Sequence, residues 1–225
     1  MTAQNGFFIT LEGGEGAGKS SQLKHLESFL IDNGYKVLLT REPGGTVGAE
    51  AIRHVILSGA VESMGAEMET LLFAAARADH MEKVIEPALS AGYIVICDRF
   101  IDSTRVYQGA GSKVDDDLIY GLEAVACGEI WPDLTLILDL PPEEGMRRAA
   151  DRRGTSAKPD RFEKEAMLQH ELRRDAFLEI ASAEPDRCVV IDASGTEKQV
   201  HQRILKTVKP MLGNLKKTKA KGKKK

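Results

Sequence analysis

The stretch that decides the fold reads Gly13-Gly14-Glu15-Gly16-Ala17-Gly18-Lys19-Ser20 and matches the pattern GxxxxGK[ST] in full. An apolar run, Phe7–Leu11, precedes it, and a helical pattern begins at residue 19. In this strand–loop–helix context the pattern forms a phosphate-binding loop, because glycines let consecutive N–H groups turn toward an anion. The helix adds the positive end of its dipole. The stretch therefore predicts a binding site for the triphosphate of a nucleotide.

Two side chains of this loop predict how the phosphates are held. We expect Lys19 to reach the β- and γ-phosphates and the Ser20 hydroxyl to bind Mg²⁺. The residues expected to bind the nucleotide are Gly13, Gly14, Glu15, Gly16, Ala17, Gly18, Lys19, Ser20 and Ser21. Glu15 is unusual among them, because a carboxylate repels phosphates unless it points away from them.

Five apolar runs rich in β-branched residues predict the sheet to which this loop is attached. Their hydrophobicity is nearly continuous, which is typical of strands covered on both faces. These runs are Phe7–Leu11, Lys36–Thr40, Tyr93–Cys97, Leu134–Leu138 and Cys188–Ile191. Helical patterns lie between them, at about residues 19–33, 47–57, 65–91 with a break near Pro87, 115–127, 143–153, 162–182 and 196–212. The alternation predicts an α/β fold, a five-stranded parallel sheet with helices on both faces, whose ligands gather at the carboxyl ends of the strands.

The composition indicates one globular domain with a charged extension. Of the 225 residues, 42% are hydrophobic and 29% are charged, as in proteins with a substantial core. Residues 214–225 contain seven lysines and no acid, so the net charge of −3 conceals a body that carries −10. We assign residues 1–213 to a kinase-sized domain and expect residues 214–225 to be a disordered tail. No aromatic side chains accompany the lysines, and we expect no nucleic-acid partner.

The cysteines and the beginning of the chain bear on location. Cys97, Cys127 and Cys188 are odd in number, widely spaced and free of any CxxC pattern. We therefore expect buried, reduced thiols in a cytoplasmic protein. The chain starts without a signal-peptide pattern and contains no apolar stretch of ~18–20 residues, so we expect no membrane-spanning segment.

A phosphate-binding loop alone leaves three classes of protein open: a small-molecule kinase, a regulatory GTPase and an ATPase motor. A GTPase needs the guanine-reading sequence NKxD, which is absent. The pattern DxxG occurs at Asp151–Gly154 and Asp192–Gly195, far too late in the chain for a switch segment. A motor normally needs partner domains and a longer chain. Size and arginine-bearing loops favour the kinase.

Four segments resemble the thymidylate kinase family in order and spacing. They are Phe8–Ser20, Thr40–Thr46 with the sequence TREPGGT, Asp98–Phe100 and Tyr107–Gly109. The resemblance extends from about residue 7 to residue 212. It implies a nucleoside monophosphate kinase-like fold, ATP and dTMP as substrates, Mg²⁺, and a homodimer for which the helical region 47–91 is a plausible interface.

Phe73 and Arg77 are the candidates for recognising the base of the acceptor. They lie four residues apart on a predicted helix and therefore share one face. An aromatic ring beside a guanidinium suits a nucleobase, although the same spacing also fits a core Phe with a surface Arg. The resemblance implies that Phe73 stacks on thymine and that Arg77 contacts its O4 atom.

Asp98 and Arg99 end a buried strand at the edge where the phosphates are expected. An arginine there can bind the acceptor phosphate through two hydrogen bonds. Asp98 can orient that arginine or act through a magnesium-bound water, so we place it with Ser20 at the metal; a simple strand-end ion pair is the alternative. By resemblance Arg53 is a second contact to the acceptor phosphate.

Further acceptor contacts follow from the resemblance. Glu15 is expected to contact the 3′-hydroxyl of the deoxyribose, and Pro43 to follow a cis peptide bond, where the sequence alone indicates only a turn. Thr104 and Gln108 are spaced four apart, which suits a short helical turn over base and sugar. Tyr107 is expected to pack on the deoxyribose, with plain loop packing as the alternative.

The segment of about residues 147–161 resembles the mobile lid of the bacterial type. Some family members carry an arginine in the phosphate loop where this chain has Gly16, so the catalytic cation is expected from the lid. Arg153 is the first choice, with Arg148 and Arg152 as alternatives, and a solvated basic helix is the other interpretation of the segment. Lys19, Asp98, Arg99 and Arg153 thus form the predicted catalytic set.

The sequence therefore predicts the ATP-dependent phosphorylation of dTMP to dTDP. The acceptor is a phosphate monoester with a second pKa near ~6, so no strong general base is required. One alternative is another nucleoside monophosphate or deoxynucleoside kinase on the same fold. The other is a nucleic-acid-associated ATPase that uses the lysine tail.

We predict that Arg153→Ala lowers kcat with little change in acceptor affinity, because a lid arginine stabilises charge only during transfer. Such an arginine can contribute ~10³–10⁵ in rate. Steady-state kinetics together with equilibrium binding of dTMP check this expectation. An unchanged kcat would remove Arg153 from the mechanism, and the same measurements on Arg148→Ala and Arg152→Ala separate the three candidates.

Overall fold

The computed structural model of the protein describes residues 6–110, 112, 114–153 and 166–215. Its centre is a sheet of five parallel strands in the order β2-β3-β1-β4-β5. The strands are β1 (Phe7–Gly13), β2 (Val37–Arg41), β3 (Ile94–Asp98), β4 (Leu134–Asp139) and β5 (Cys188–Asp192). The predicted fold class is confirmed, and each strand lies within two residues of its predicted bounds.

Nine α-helices connect and flank these strands in the described part of the chain. They are α1 (Lys19–Asp32), α2 (Val47–Leu57), α3 (Ala66–His80), α4 (Glu86–Ser90), α5 (Ile101–Thr104), α6 (Asp116–Cys127), α7 (Pro142–Arg153), α8 (Met167–Ala183) and α9 (Glu197–Met211). Two π-helical segments, Met81–Ile85 and Arg105–Ala110, follow α3 and α5, and short 3₁₀ turns cover Glu62–Met64 and Leu212–Asn214.

The break predicted near Pro87 lies earlier in the chain. The wide turn Met81–Ile85 interrupts the long helical region, whereas Pro87 lies in the first turn of α4. Proline is tolerated there because the first amides of a helix have no intrahelical acceptor. The sequence pattern did not reveal the interruption at Met81–Ile85, because a π turn shifts the apolar face of a helix without ending the helix.

Both faces of the sheet are covered, as the continuous hydrophobicity predicts. Leu26 of α1 and Ile204 of α9 pack on the side of Ile9. Phe8, on the opposite face, packs with Leu89 of α4. On that same side α8 packs on β4 and on the second π-helical segment. The core therefore consists of two apolar layers with the sheet between them.

Several sequence predictions concern location and chain ends. No helix in the described part of the chain is long and apolar enough to cross a membrane. The three cysteines are buried free thiols, as expected. Leu215, two residues past the predicted boundary at 213, packs against the core. Lid residues 154–161 and tail residues 216–225 lie outside the described residues.

The strand order determines which loops meet. Strand β1 lies beside β3, and β3 lies beside β2, with Leu11 and Arg41 both in register with Asp98. The carboxyl ends of parallel strands face the same edge. The phosphate loop, the Asp98–Arg99 turn and the loop that follows Arg41 therefore lie next to one another.

Candidate active site

A cavity of about 230 Å³ opens at this edge of the sheet. It contains both predicted ends of the site, the phosphate loop and the acceptor region. The predicted site residues that line it are Glu15, Gly16, Ala17, Gly18, Lys19, Ser20, Pro43, Arg53, Phe73, Arg77, Asp98, Arg99, Thr104, Tyr107 and Gln108. Segments spread over almost a hundred residues of sequence are thus brought to one space.

The donor end of the cavity is formed by the loop after β1. Gly18 has φ 91° and leads into α1, a left-handed conformation that glycine adopts without strain. Lys19 is buried, and its Nζ donates to the carbonyl oxygens of Gly13 and Gly14, both at 2.9 Å. Burial lowers the pKa of Lys19 to about 8, with the nearby charge of Arg99 acting in the same direction.

Ser20 and Asp98 are the residues that can hold a metal ion. The Ser20 hydroxyl donates to Oδ2 of Asp98 at 3.3 Å, so a hydroxyl and a carboxylate lie together beside the phosphate loop. Oxygen ligands of this kind suit Mg²⁺, which usually takes only one or two ligands from the protein. No cluster of three or more His, Cys, Asp or Glu suited to a metal exists among the described residues. The pair therefore fits a cation that is shared with bound phosphates.

Arg99 lines the cavity and has an unusual backbone conformation. Its φ of 67° lies in the left-handed region, which residues with a side chain rarely adopt. Its Nη2 donates to Oε1 of Glu15 at 2.6 Å, and its Nη1 donates to Oγ of Ser103 at 3.2 Å. The strained backbone places the guanidinium between the phosphate loop and α5.

Glu12 holds this turn, although sequence reasoning did not single it out. It is fully buried, and its carboxylate accepts hydrogen bonds from the Phe100 amide at 2.7 Å and from Oγ of Ser103 at 2.6 Å. Burial and the nearby charge of Asp102 raise the pKa of Glu12 to about 7, against the opposing effect of Arg99. The sequence signal that could have identified Glu12 is its position in an apolar strand. Buried acids are rare unless they are paired, so an acid there indicates a specific partner.

The Glu15 carboxylate points into the cavity, toward Arg99 and Tyr107. It accepts hydrogen bonds from Arg99 and, at 3.1 Å, from the Tyr107 hydroxyl. Burial alone would raise the pKa of Glu15, but Arg99 and Lys19 outweigh it and lower the pKa to about 2. The Tyr107 ring lies 5.0 Å from the guanidinium carbon of Arg99 and 4.3 Å from that of Arg173.

The end of the cavity away from the phosphate loop is lined by α3, α5 and the second π-helical segment. Phe73 is half-buried and Arg77 is buried on the same face of α3. Arg77 donates from Nη2 to Oγ1 of Thr104 at 3.0 Å, and Gln108 donates to Oε1 of Glu69 at 2.8 Å. Thr104 ends α5 and Gln108 lies in the second π-helical segment, so the predicted helical turn over the cavity is present.

The loop after β2 closes one side of the cavity. The peptide bond between Glu42 and Pro43 is cis, as the resemblance implied. The Pro43 carbonyl oxygen accepts a hydrogen bond from Nη1 of Arg53 at 2.9 Å, which directs that guanidinium to the cavity wall. Glu42 and Arg41 also line the cavity, although the sequence analysis gave them no role.

Three of the predicted nucleotide contacts lie away from the large cavity. Gly13 and Gly14 border a separate cavity of about 20 Å³ behind the loop, beside α8. The Ser21 hydroxyl donates to Oε1 of Glu197 at 3.0 Å and therefore ties α1 to α9.

Of the three candidate lid arginines, only Arg148 has a side chain within the described residues. Arg148 lies on α7, pairs with Glu144 at 2.8 Å, and donates to the carbonyl oxygen of Ala193 at 3.1 Å. The Arg148 side chain therefore binds the loop after β5 and does not face the cavity. Arg152 and Arg153 are the last residues of α7, and their side chains lie outside the described residues.

Helix α7 touches the phosphate loop at a pair of glycines. A Cβ atom on Gly16 would lie 1.8 Å from the carbonyl oxygen of Gly145, and one on Gly145 would lie 2.3 Å from that of Glu15. Gly16 also has φ 68°. No side chain fits between the loop and the helix at this point.

Comparison with known proteins agrees with this geometry. The family model described as Thymidylate kinase matches residues 11–204. The thymidylate kinase of Bradyrhizobium sp. strain ORS 278 is 54% identical over 207 residues, which cover 92% of this chain and 91% of the relative. That of Bradyrhizobium sp. strain BTAi1 is 58% identical over 189 residues, covering 84% and 83%.

A solved structure supports the same assignment. The crystal structure of thymidylate kinase from Ehrlichia chaffeensis matches with a TM-score of 0.72 and 34% identity, over 91% of this chain and 99% of that one. Sequence, fold and the arrangement of the cavity point in one direction. The chain therefore belongs to the thymidylate kinase family, the phosphotransferases that phosphorylate dTMP.

Proposed function

We propose that the cavity holds the γ-phosphoryl group of ATP and the phosphate of dTMP between the phosphate loop and Arg99. One observation carries this division of the site: a single space extends from Lys19 and Ser20 at one end to Phe73 and Arg77 at the other. The donor occupies the loop end, and the acceptor occupies the end below α3.

The acceptor is held by its three parts. Phe73 stacks on the base, and Arg77 donates to its carbonyl edge, with Thr104 and Gln108 closing the pocket over it. Glu15 accepts a hydrogen bond from the 3′-hydroxyl while Tyr107 packs on the sugar. Contacts from Arg53 and Arg99 to the phosphate, and from Pro43 to the wall of the pocket, complete the arrangement.

Charge is the main problem that the site must solve, because both reacting groups are anions. The cavity wall carries five cationic side chains and three carboxylates among its lining residues: Lys19, Arg41, Arg53, Arg77 and Arg99 against Glu15, Glu42 and Asp98. This excess favours two phosphorylated ligands, and fixed donors aimed at developing charge stabilise a transition state. Arg153 of the lid supplies a further cation.

A magnesium ion fits the oxygen pair of Ser20 and Asp98. When bound there it neutralises charge on the phosphate oxygens. Lys19 binds the same phosphates, while Arg99 aligns the acceptor phosphate with them. The acceptor oxygen is already largely ionised at neutral pH, since its second pKa is near ~6, and no protein base has to remove a proton from it.

We further propose that the enzyme is a cytoplasmic homodimer that pairs through the region of α2 and α3. Large apolar side chains are exposed on α2, on α3 and on the neighbouring α6, whereas α3 packs against both of the others. These side chains are Val47, Val55, Leu57, Met68, Leu71, Tyr120 and Val125. Apolar surface on adjacent helices is typical of a protein interface.

Acceptor specificity tests the proposed function. With ATP as donor and dTMP, dUMP, dCMP, dGMP or thymidine as acceptor, we expect the highest kcat/KM for dTMP and no turnover of thymidine, which has no phosphate for Arg99 to hold. A preference for another acceptor would support the related kinases instead.

Phe73→Ala should raise KM for dTMP about tenfold or more, because an aromatic stack of ~1–3 kcal/mol is lost.

The lysine of the phosphate loop predicts the alkaline limb of the pH profile. Burial lowers the pKa of Lys19 to about 8, so the free enzyme loses this positive charge as the pH rises through that value. We expect kcat/KM for ATP to fall above about pH 8. The decline in kcat should come at higher pH, because bound phosphates favour the charged lysine. A profile that stays flat up to the ordinary lysine range near ~10.4 would contradict this assignment.

The proposed interface predicts the oligomeric state of two matched variants. Leu71→Glu introduces a charge on the exposed face of α3 and should convert the dimer to a monomer in sedimentation velocity. Leu168→Glu introduces the same charge on α8, where Leu168 is also exposed, and should leave the dimer intact. A monomeric wild-type protein, or equal behaviour of the two variants, would refute the interface.

A further inference from the structure

On its buried side, Arg77 begins a chain of polar contacts that takes no part in the proposed binding of ATP and dTMP. Nε of Arg77 donates to Oε2 of Glu42 at 2.7 Å. The other oxygen of Glu42 lies 3.1 Å from Nδ1 of His80, and Nε2 of His80 lies 2.7 Å from Oγ1 of Thr40. Arg77, Glu42 and His80 are 3%, 6% and 0% exposed, so these contacts are formed away from water.

The chain of contacts connects two elements that approach the cavity from different directions. Arg77 and His80 belong to α3, whereas Thr40 and Glu42 belong to β2 and the loop after it. The Glu42 amide also donates to the carbonyl oxygen of Asp98 at 2.9 Å. The backbone of Glu42 is therefore held by the end of β3, independently of the contact between its carboxylate and Arg77.

Close backbone packing shows that the loop is fitted to His80. A Cβ atom on Gly45 would lie 2.5 Å from Nε2 of His80 and 2.8 Å from Oγ1 of Thr40. Gly45 also has φ 90°, which favours glycine. The absence of a side chain at this position lets the loop lie directly on the imidazole, so the ring has little freedom to turn.

The contacts fix the plane of the Arg77 guanidinium. Nε is held by Glu42, Nη2 is held by Thr104, and Nη1 makes no hydrogen bond to any described residue. Because Nε and Nη2 are both fixed, the plane of the guanidinium and the direction of Nη1 are fixed as well. Both oxygens of Glu42 are occupied by Arg77 and His80, so Glu42 acts through Arg77 although it borders the cavity.

We propose that Glu42, His80 and Thr40 are positioning residues that aim the Arg77 guanidinium at the base edge and thereby set the preference for thymine over cytosine. This inference rests on the proposed placement of the base against Arg77. Thymine presents a carbonyl oxygen at this edge, whereas cytosine presents an amino group. A rigid donor opposite an amino group leaves two buried donors unpaired, and a guanidinium that can turn away avoids that penalty.

The ratio of kcat/KM for dTMP to kcat/KM for dCMP measures this discrimination. In Glu42→Gln we expect the ratio to fall about tenfold, mainly through a higher KM for dTMP, because the charge-assisted hydrogen bond that holds Arg77 is weakened. His80→Gln and Thr40→Val act one and two steps further along the chain of contacts. They should lower the ratio by smaller amounts in that order, with KM for ATP unchanged in all three variants.

A matched carboxylate variant separates positioning from a general loss of stability. Asp133 accepts a hydrogen bond from the Phe8 amide at 2.7 Å, at the start of β1 and far from the cavity. Asp133→Asn should lower the melting temperature without changing the dTMP/dCMP ratio. If the Glu42, His80 and Thr40 variants behave like Asp133→Asn, the contacts are merely structural and the inference is overturned.

The outcomes also distinguish this inference from the proposed function. A wild-type enzyme without preference for dTMP would refute the placement of the base and both proposals with it. A wild-type preference that survives in Glu42→Gln and Thr40→Val would refute only the positioning role. Thr40→Val removes a single hydroxyl from a half-buried side chain and carries the test if Glu42→Gln does not fold.

Discussion

Buried and half-buried carboxylates hold the cations of this cavity in place, and the arrangement of the site depends on them. Glu12 fixes the turn that carries Arg99, Glu15 binds the Arg99 guanidinium, and Glu42 binds Arg77. A buried carboxylate and a buried guanidinium each lose hydration, so each is stable there only because the other is present. Because a low local dielectric strengthens their attraction, the positions of the arginines are defined before any ligand arrives.

This arrangement has a cost that the fold distributes over several elements. Burial lowers the pKa of Lys19 and raises that of Glu12, so both groups are less readily charged than they would be in water. Arg99 also adopts a strained backbone, which persists only where the surroundings over-determine it. The strands tolerate these features because the central sheet is covered on both faces by apolar layers. Stability from the core thus supports a site that is not itself optimised for stability.

Much of this architecture could be predicted from local sequence signals. The strands and most helix bounds followed from hydrophobic runs, and the phosphate loop followed from its glycines and lysine. The π turn at Met81–Ile85 could not be predicted, because its spacing imitates a continuous helix. The pairing of Glu42 with Arg77 and His80 was also missed, since contacts over 35 and 38 residues leave no periodic trace. Glu12 was detectable in principle as an acid in an apolar strand, whereas its partner Ser103 was not.

The contact between Gly16 and Gly145 constrains how the sequence of this enzyme can change. A Cβ atom on Gly16 would meet the backbone of Gly145, and one on Gly145 would meet the Glu15 carbonyl, so neither position can accept a larger residue while the two backbones stay in place. An arginine introduced at residue 16 would have to displace the backbone of α7 at Gly145. An arginine placed in the phosphate loop alone would therefore produce a clash, and the loop and α7 have to change together.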